Sequence, residues 1–210
     1  MKYTILRSSS TTYKEKRSEF IGYSKPIKNA QDHTIYLKVL RSKHPSARHI
    51  CWAYRLSIDD LIIENSTDAG EPSGSAGMPI LNVIKHYEIV NCGLYVVRFF
   101  GGVKLGKQGL TNAYKTSAEL VVAKSVLHEW LPKSQYLISA PVKYFGTVAN
   151  IIQQKNGIIL NNQTSDILKL LIELQIDKYT DFKTEFDEIT QNSGTIKKQS
   201  ERDQTKEVRK

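Results

Sequence analysis

No stretch of this 210-residue chain approaches the roughly 18–20 consecutive apolar residues that cross a bilayer, so no transmembrane helix is expected. The opening residues, MKYTILRSSSTTYKEKR, hold too short an apolar run for a signal peptide, and a cytoplasmic protein is expected. Cysteine is scarce. Cys51 and Cys92 have neither the spacing of a zinc site or redox pair nor the density of a disulfide scaffold, which leaves buried free thiols. No glycine run is followed by a Lys-Ser/Thr pair at P-loop spacing, and none carries the GxGxxG pattern with a downstream acid that holds a dinucleotide. No cofactor and no metal are expected.

What is present is enough to fold. With 40% hydrophobic and 24% charged residues the composition is that of a globular protein, and the length suits two small units. The net charge of +9 invites an anionic partner, and it is unevenly spread. Residues 1–135 carry 19 Lys/Arg against 11 Asp/Glu, residues 136–192 carry 5 against 7, and residues 193–210 carry 6 against 3. The positive field therefore belongs to the first part and the tail. Charge alone leaves open an ordinary Lys-rich surface with no such partner.

Alternation and turn chemistry predict strands over residues 1–7 and 17–27, separated by a polar turn at Ser8–Thr12, then a helix from Asn29 to Lys43 closed by His44-Pro45. RHICWAYRL reads as a strand. Its period of two puts Ile50, Trp52, Tyr54 and Leu56 on a core face. His49, Cys51, Ala53 and Arg55 fall on the other face, expected to be a shallow, open surface. His49 and Arg55 lie roughly 20 Å apart at about 3.3 Å per residue, a span suited to a long anion. A strand at 61–65, a short helix at 78–87, a buried strand at 93–100 and a helix at about 108–125 follow. After a connector near Pro132–Ser134, the strands 136–141, 157–162, 167–176 and 195–198 and the helices 143–154 and 181–191 run in the order βαββαβ of a ferredoxin-like sandwich. The fold class is α+β, with domains at 1–133 and 136–200 and a disordered tail at 201–210.

Two glycine loops carry the chemistry. ENSTDAGEPSGSAGMPIL holds Ser66, Thr67, Asp68, Glu71 and Gly74 ahead of a helix, where backbone N–H groups can face a phosphate. A rigid connecting loop of Asx and ST turns is the competing reading. FFGGVKLGKQGL supplies Gly101, Gly102, Gly106, Lys104 and Lys107, a candidate cradle for phosphate or nucleic-acid backbone. Arg48, His49 and Arg55 complete the candidate set.

Catalytic readings are weaker. Cys51 and His49 share a strand face, but a Cα separation near 6.6 Å and no orienting partner argue against a Cys–His dyad. Asp59, Asp60, Glu64, Asp68 and Glu71 match no metal-loop spacing, and His33, His44, His86 and His128 read as surface or capping residues.

KEKRSEFIGYSKPI, HPSARHICWAYR, ENSTDAGEPSGSAGMPIL and VVRFFGGVKLGKQGLTNAY, in this order, resemble the YigZ and IMPACT family over about residues 14–125. The resemblance implies an N-terminal domain like the second domain of a small-subunit ribosomal protein and a C-terminal ferredoxin-like domain. It also implies a link to translation and a nucleic-acid-binding role. The chain departs from the family pattern at Ala69, where a second Asp is usual, at Gln108, usually Gly, and at Asn112, usually basic. The expected function is that of a non-catalytic RNA- or ribosome-associated protein. An enzyme acting on a phosphorylated small molecule and a purely protein-binding regulator stay open as alternatives.

Overall fold

The computed structural model describes residues 1–58 and 61–199; Asp59, Asp60 and the tail expected to be disordered lie outside them. The chain divides into two compact units, Met1–Trp130 and one that begins at Leu131. In the first, Ser9–Glu15 (β2), Ser18–Pro26 (β3), His49–Ile58 (β4), Leu61–Thr67 (β5) and Cys92–Phe99 (β6) form one antiparallel sheet, ordered β2-β3-β6-β4-β5. Tyr3–Ile5 (β1) and Leu127–Glu129 (β7) pair separately. Among the described residues three helices complete the unit: Ala30–Lys43 (α1), Gly77–His86 (α2) and Gly106–Lys124 (α3).

The period-two reading of β4 is right about Ile50, Tyr54 and Leu56, which are buried; Ile50 packs in a cluster with Tyr23, Tyr95, Val97 and Leu40 of α1. The expected open face is not open. Cys51 and Ala53 are fully buried beneath α2 and α3, in one cluster with Leu94, Val96, Ile80, Ile84, Tyr114 and Ala118. Small side chains there mark the close approach of a helix to the sheet, which removes the surface a nucleic-acid backbone needs.

The polar segment expected to turn at Ser8–Thr12 is instead β2, paired in register with β3 from Ser9 opposite Ser24 to Glu15 opposite Ser18. Its Ser and Thr residues mimic a loop, but they alternate half-buried and exposed, as an edge strand requires. The true turn is Lys16-Arg17, both left-handed at φ 42° and 68°. Asn29 caps α1 by accepting from the Asp32 N–H at 2.9 Å, and the Asp32 carboxylate accepts from the Lys28 N–H. His33, expected at the surface, is buried; its Nδ1 meets the Tyr95 hydroxyl at 3.1 Å, and burial lowers its pKa.

The second unit runs Lys133–Pro141 (β8), Phe145–Gln154 (α4), Ile158–Asn162 (β9), Ile167–Gln175 (β10), Tyr179–Thr190 (α5) and Thr195–Gln199 (β11). Its antiparallel sheet has the order β11-β8-β10-β9. Along β10 the even positions Leu168, Leu170, Ile172 and Leu174 are fully buried with Val148, Ile152, Phe182 and Phe186 from the two helices. Strict alternation on one strand and a 3.6-residue stripe on each helix thus meet in a single core.

Candidate anion-binding site

The first glycine loop does present backbone N–H groups to an anion, but the anion is its own. The Asp68 carboxylate accepts from the N–H groups of Gly74 at 2.8 Å and of Ala76 and Gly77 at 2.9 Å, closing the loop and capping α2. Burial pushes the Asp68 carboxyl up, yet these three bonds and the charge of Lys107 together hold it below its ordinary range. Gly74 sits at φ +74°, a left-handed conformation that brings its N–H inward. Ser66 and Thr67 lie on β5, where the Thr67 hydroxyl accepts from the Ala69 N–H. These bonds fit the connecting-loop reading, and the amides of Gly74, Ala76 and Gly77 are taken by Asp68.

Glu71, from the same loop, lies on the floor of a cleft of about 740 Å³. Its Oε1 accepts from Arg98 Nη1 at 2.7 Å and from the Tyr114 hydroxyl at 2.8 Å, tying the loop to β6 and α3. Arg98 stands opposite His49 in the sheet and is only 7% exposed; its guanidinium lies over the rings of Phe20 and Phe100. A buried ion pair of this kind cancels its own charge and leaves little net field. The field comes from the rim.

At that rim the second glycine loop brings Lys104, Gly106 and Lys107 to the cleft that Arg48 and His49 also line. Gly101 packs so closely on the turn after β2 that an added Cβ would meet the Arg17 carbonyl oxygen at 1.9 Å, and Gly102 turns the chain at φ +84°. This places Lys104 at the mouth of α3. That helix has no acidic residue in its first turn and, among the described residues, no side-chain cap, so its positive end adds to the lysines.

Of the expected site residues the structure gathers Arg48, His49, Glu71, Lys104, Gly106 and Lys107 around one cleft, with Gly101 and Gly102 shaping its loop. Arg55 is elsewhere. Its guanidinium pairs with Glu64 at 3.1 Å and Glu88 at 3.8 Å, so it is committed to neighbours within the fold. His49 is also engaged, its Nδ1 on the Ala69 carbonyl at 2.9 Å. Cys51 donates its thiol to the Asp68 carbonyl, and burial pushes its pKa up to about 12, the opposite of an activated nucleophile. Among the described residues no group of three or more His, Cys, Asp or Glu could hold a metal ion. Sequence reasoning missed Arg98, Tyr114 and Phe100. A lone arginine within the apolar run CGLYVVRFF was the available signal, because a charge buried in a strand requires a partner.

The Impact N-terminal domain family matches residues 16–122, the segment that builds β3 to β6 of the sheet and both glycine loops. The chain belongs to the IMPACT family. It is 26% identical over 196 residues to the IMPACT family member YvyE of Bacillus subtilis strain 168, covering 93% of this chain and 89% of that protein. It is 25% identical to YigZ of Escherichia coli K12, covering 85% and 88%. An IMPACT family member of Thermus thermophilus is 30% identical over 143 residues, covering 67% and 74%. Among solved structures, the crystal structure of a hypothetical protein superposes with a TM-score of 0.72 at 23% identity, covering 95% of this chain and 97% of that one. That likeness extends the shared fold across both units of this IMPACT family chain.

Proposed function

We propose that this protein is a non-catalytic RNA- or ribosome-associated regulator of translation, and that the cleft beside the second glycine loop holds the phosphate backbone. One observation carries the reading: Arg48, Lys104 and Lys107, all exposed, converge with the open end of α3 on a single cleft in the part of the chain that carries the excess positive charge. A non-catalytic role is supported by the state of two reactive side chains of this unit, one lining the cleft and one buried in the core. The Glu71 carboxylate is held by two donors and the Cys51 thiol is far from ionising. We further read the first domain, 1–133, as like the second domain of a small-subunit ribosomal protein and the second, 136–200, as ferredoxin-like; the sheet order β11-β8-β10-β9 supports the latter.

Titration of the full chain with RNA at several salt concentrations tests this. Affinity falls with salt at a slope of about −0.7 per phosphate contact on a single strand, and Lys104→Ala lowers affinity alike for all sequences while reducing the slope by about one contact. An affinity flat across salt sinks the proposal. A Lys104→Ala protein that binds like the parent at every salt makes the loop a structural turn and moves the contact to Arg48.

A further inference from the structure

We infer that the cleft accepts an unpaired stretch of RNA, one of whose bases stacks on the ring of Phe100; this rests on reading the cleft as a phosphate site. Phe100 follows the half-buried Phe99 that ends β6, where the strand leaves the core, and it is 56% exposed. A single exposed aromatic needs no explanation by itself. What distinguishes Phe100 is its backing and its place. The Arg98 guanidinium lies over its ring, 5.4 Å from the centroid, and Arg98 is itself fixed by Glu71 and by contact with Phe20. The ring is thereby propped against a buried, immobilised cation instead of lying loose on the surface.

The same ring lines the cleft that Arg48, Lys104 and Lys107 face. An aromatic platform beside a cationic track is the pairing that holds single strands: the cations follow the backbone and the ring takes a base. A duplex keeps its base faces inside the stack, so only an unpaired nucleotide can use such a platform. The volume of about 740 Å³ falls in the range of small-ligand pockets, about 300–1,000 Å³, which admits a splayed nucleotide and excludes a helix. Two polar groups of the cleft are already engaged, the Glu71 carboxylate with Arg98 and Tyr114 and the His49 Nδ1 with Ala69, and stacking itself accepts any base. Little base preference is therefore expected.

The test titrates the full chain, as parent, Phe100→Ala and Phe100→Trp, with three probes: an oligouridylate of about 12 nucleotides, the same strand annealed to its complement, and inorganic polyphosphate, which has charge but no bases. Phe100→Ala should weaken oligouridylate binding about tenfold, equivalent to about 1.4 kcal/mol, and leave polyphosphate binding within about twofold of the parent. Phe100→Trp should hold or tighten it, and the parent should prefer the single strand to the duplex. Thermal melting of both variants verifies that they fold. If Phe100→Ala binds oligouridylate like the parent, or loses polyphosphate by the same factor, stacking is wrong while the phosphate reading stands on the salt dependence of the polyphosphate. A parent that binds none of the three probes overturns both readings together.

Discussion

At the scale of single residues, adjacent glycines in the second loop are glycine for different reasons, and substitution separates them. Gly102 sits at φ +84° with nothing near its Cβ position, so Gly102→Ala meets backbone strain alone, about 1–3 kcal/mol. Gly101 has no such strain, but its Cβ would enter the Arg17 carbonyl oxygen and carbon. That contact is with backbone, so Gly101→Ala must displace the turn between β2 and β3 and should cost more than Gly102→Ala in a denaturant titration. The reverse order means that the turn gives way easily. Cys51 is the complementary case. Its thiol already donates to the Asp68 carbonyl at 3.0 Å, so Cys51→Ser keeps a donor in place and should cost about 1 kcal/mol, with RNA affinity within a few-fold of the parent. Complete loss of binding with folding retained would give the thiol a role beyond structure.

At the scale of elements, the loop before α2 behaves as a cap built from one carboxylate, and acid should undo it. Asp68 satisfies three N–H groups at once, so Asp68→Ala orphans all three and should cost about 2 kcal/mol. Its folded pKa lies below the unfolded value of about 3.9. The stabilisation is therefore complete above that value and is lost as pH falls from about 4 through the depressed folded value. Chemical denaturation followed between about pH 5 and 2.5 should show a shallower acid limb for Asp68→Asn than for the parent; identical limbs place the acid sensitivity on other carboxylates. The same loop shows where elements were legible. Asn29, Pro45 and the glycines marked boundaries correctly because caps and breakers act locally, within a turn of the chain. The sequence misled wherever the deciding neighbour was distant: β2 is a strand only because β3 pairs with it, and Cys51 and Ala53 are covered only because α2 and α3 fold over them. For the site, Lys104, Lys107 and Arg48 were legible as exposed cations on a glycine-rich frame. Glu71 and Asp68 were named for a ligand but turn inward, since a carboxylate beside free amides or a buried arginine satisfies those before any solute.

At the scale of the whole molecule, charge and packing divide along the chain in the same place. Among the described residues every hydrophobic cluster lies wholly within one unit: three are built from residues up to Leu127, and the fourth begins at Tyr136. The +8 of residues 1–135 accompanies the first set, whereas residues 136–192 carry −2. A unit that buries its own core has the means to fold alone, since burial of about 1.5–3 kcal/mol per large apolar side chain is local to it. Residues 1–133 expressed by themselves should therefore melt in one cooperative transition. If the cleft at Arg48, Lys104 and Lys107 supplies the phosphate contacts, this fragment should also bind RNA with the salt slope of the full chain, because counterion release counts only contacts made. Calorimetry and RNA titration at matched salt measure the two outcomes separately. A fragment that melts cooperatively yet binds with a slope smaller by two or more contacts assigns those contacts to residues beyond 133, and Lys197 and Lys198 on β11 and the basic residues after them become the next substitutions to make.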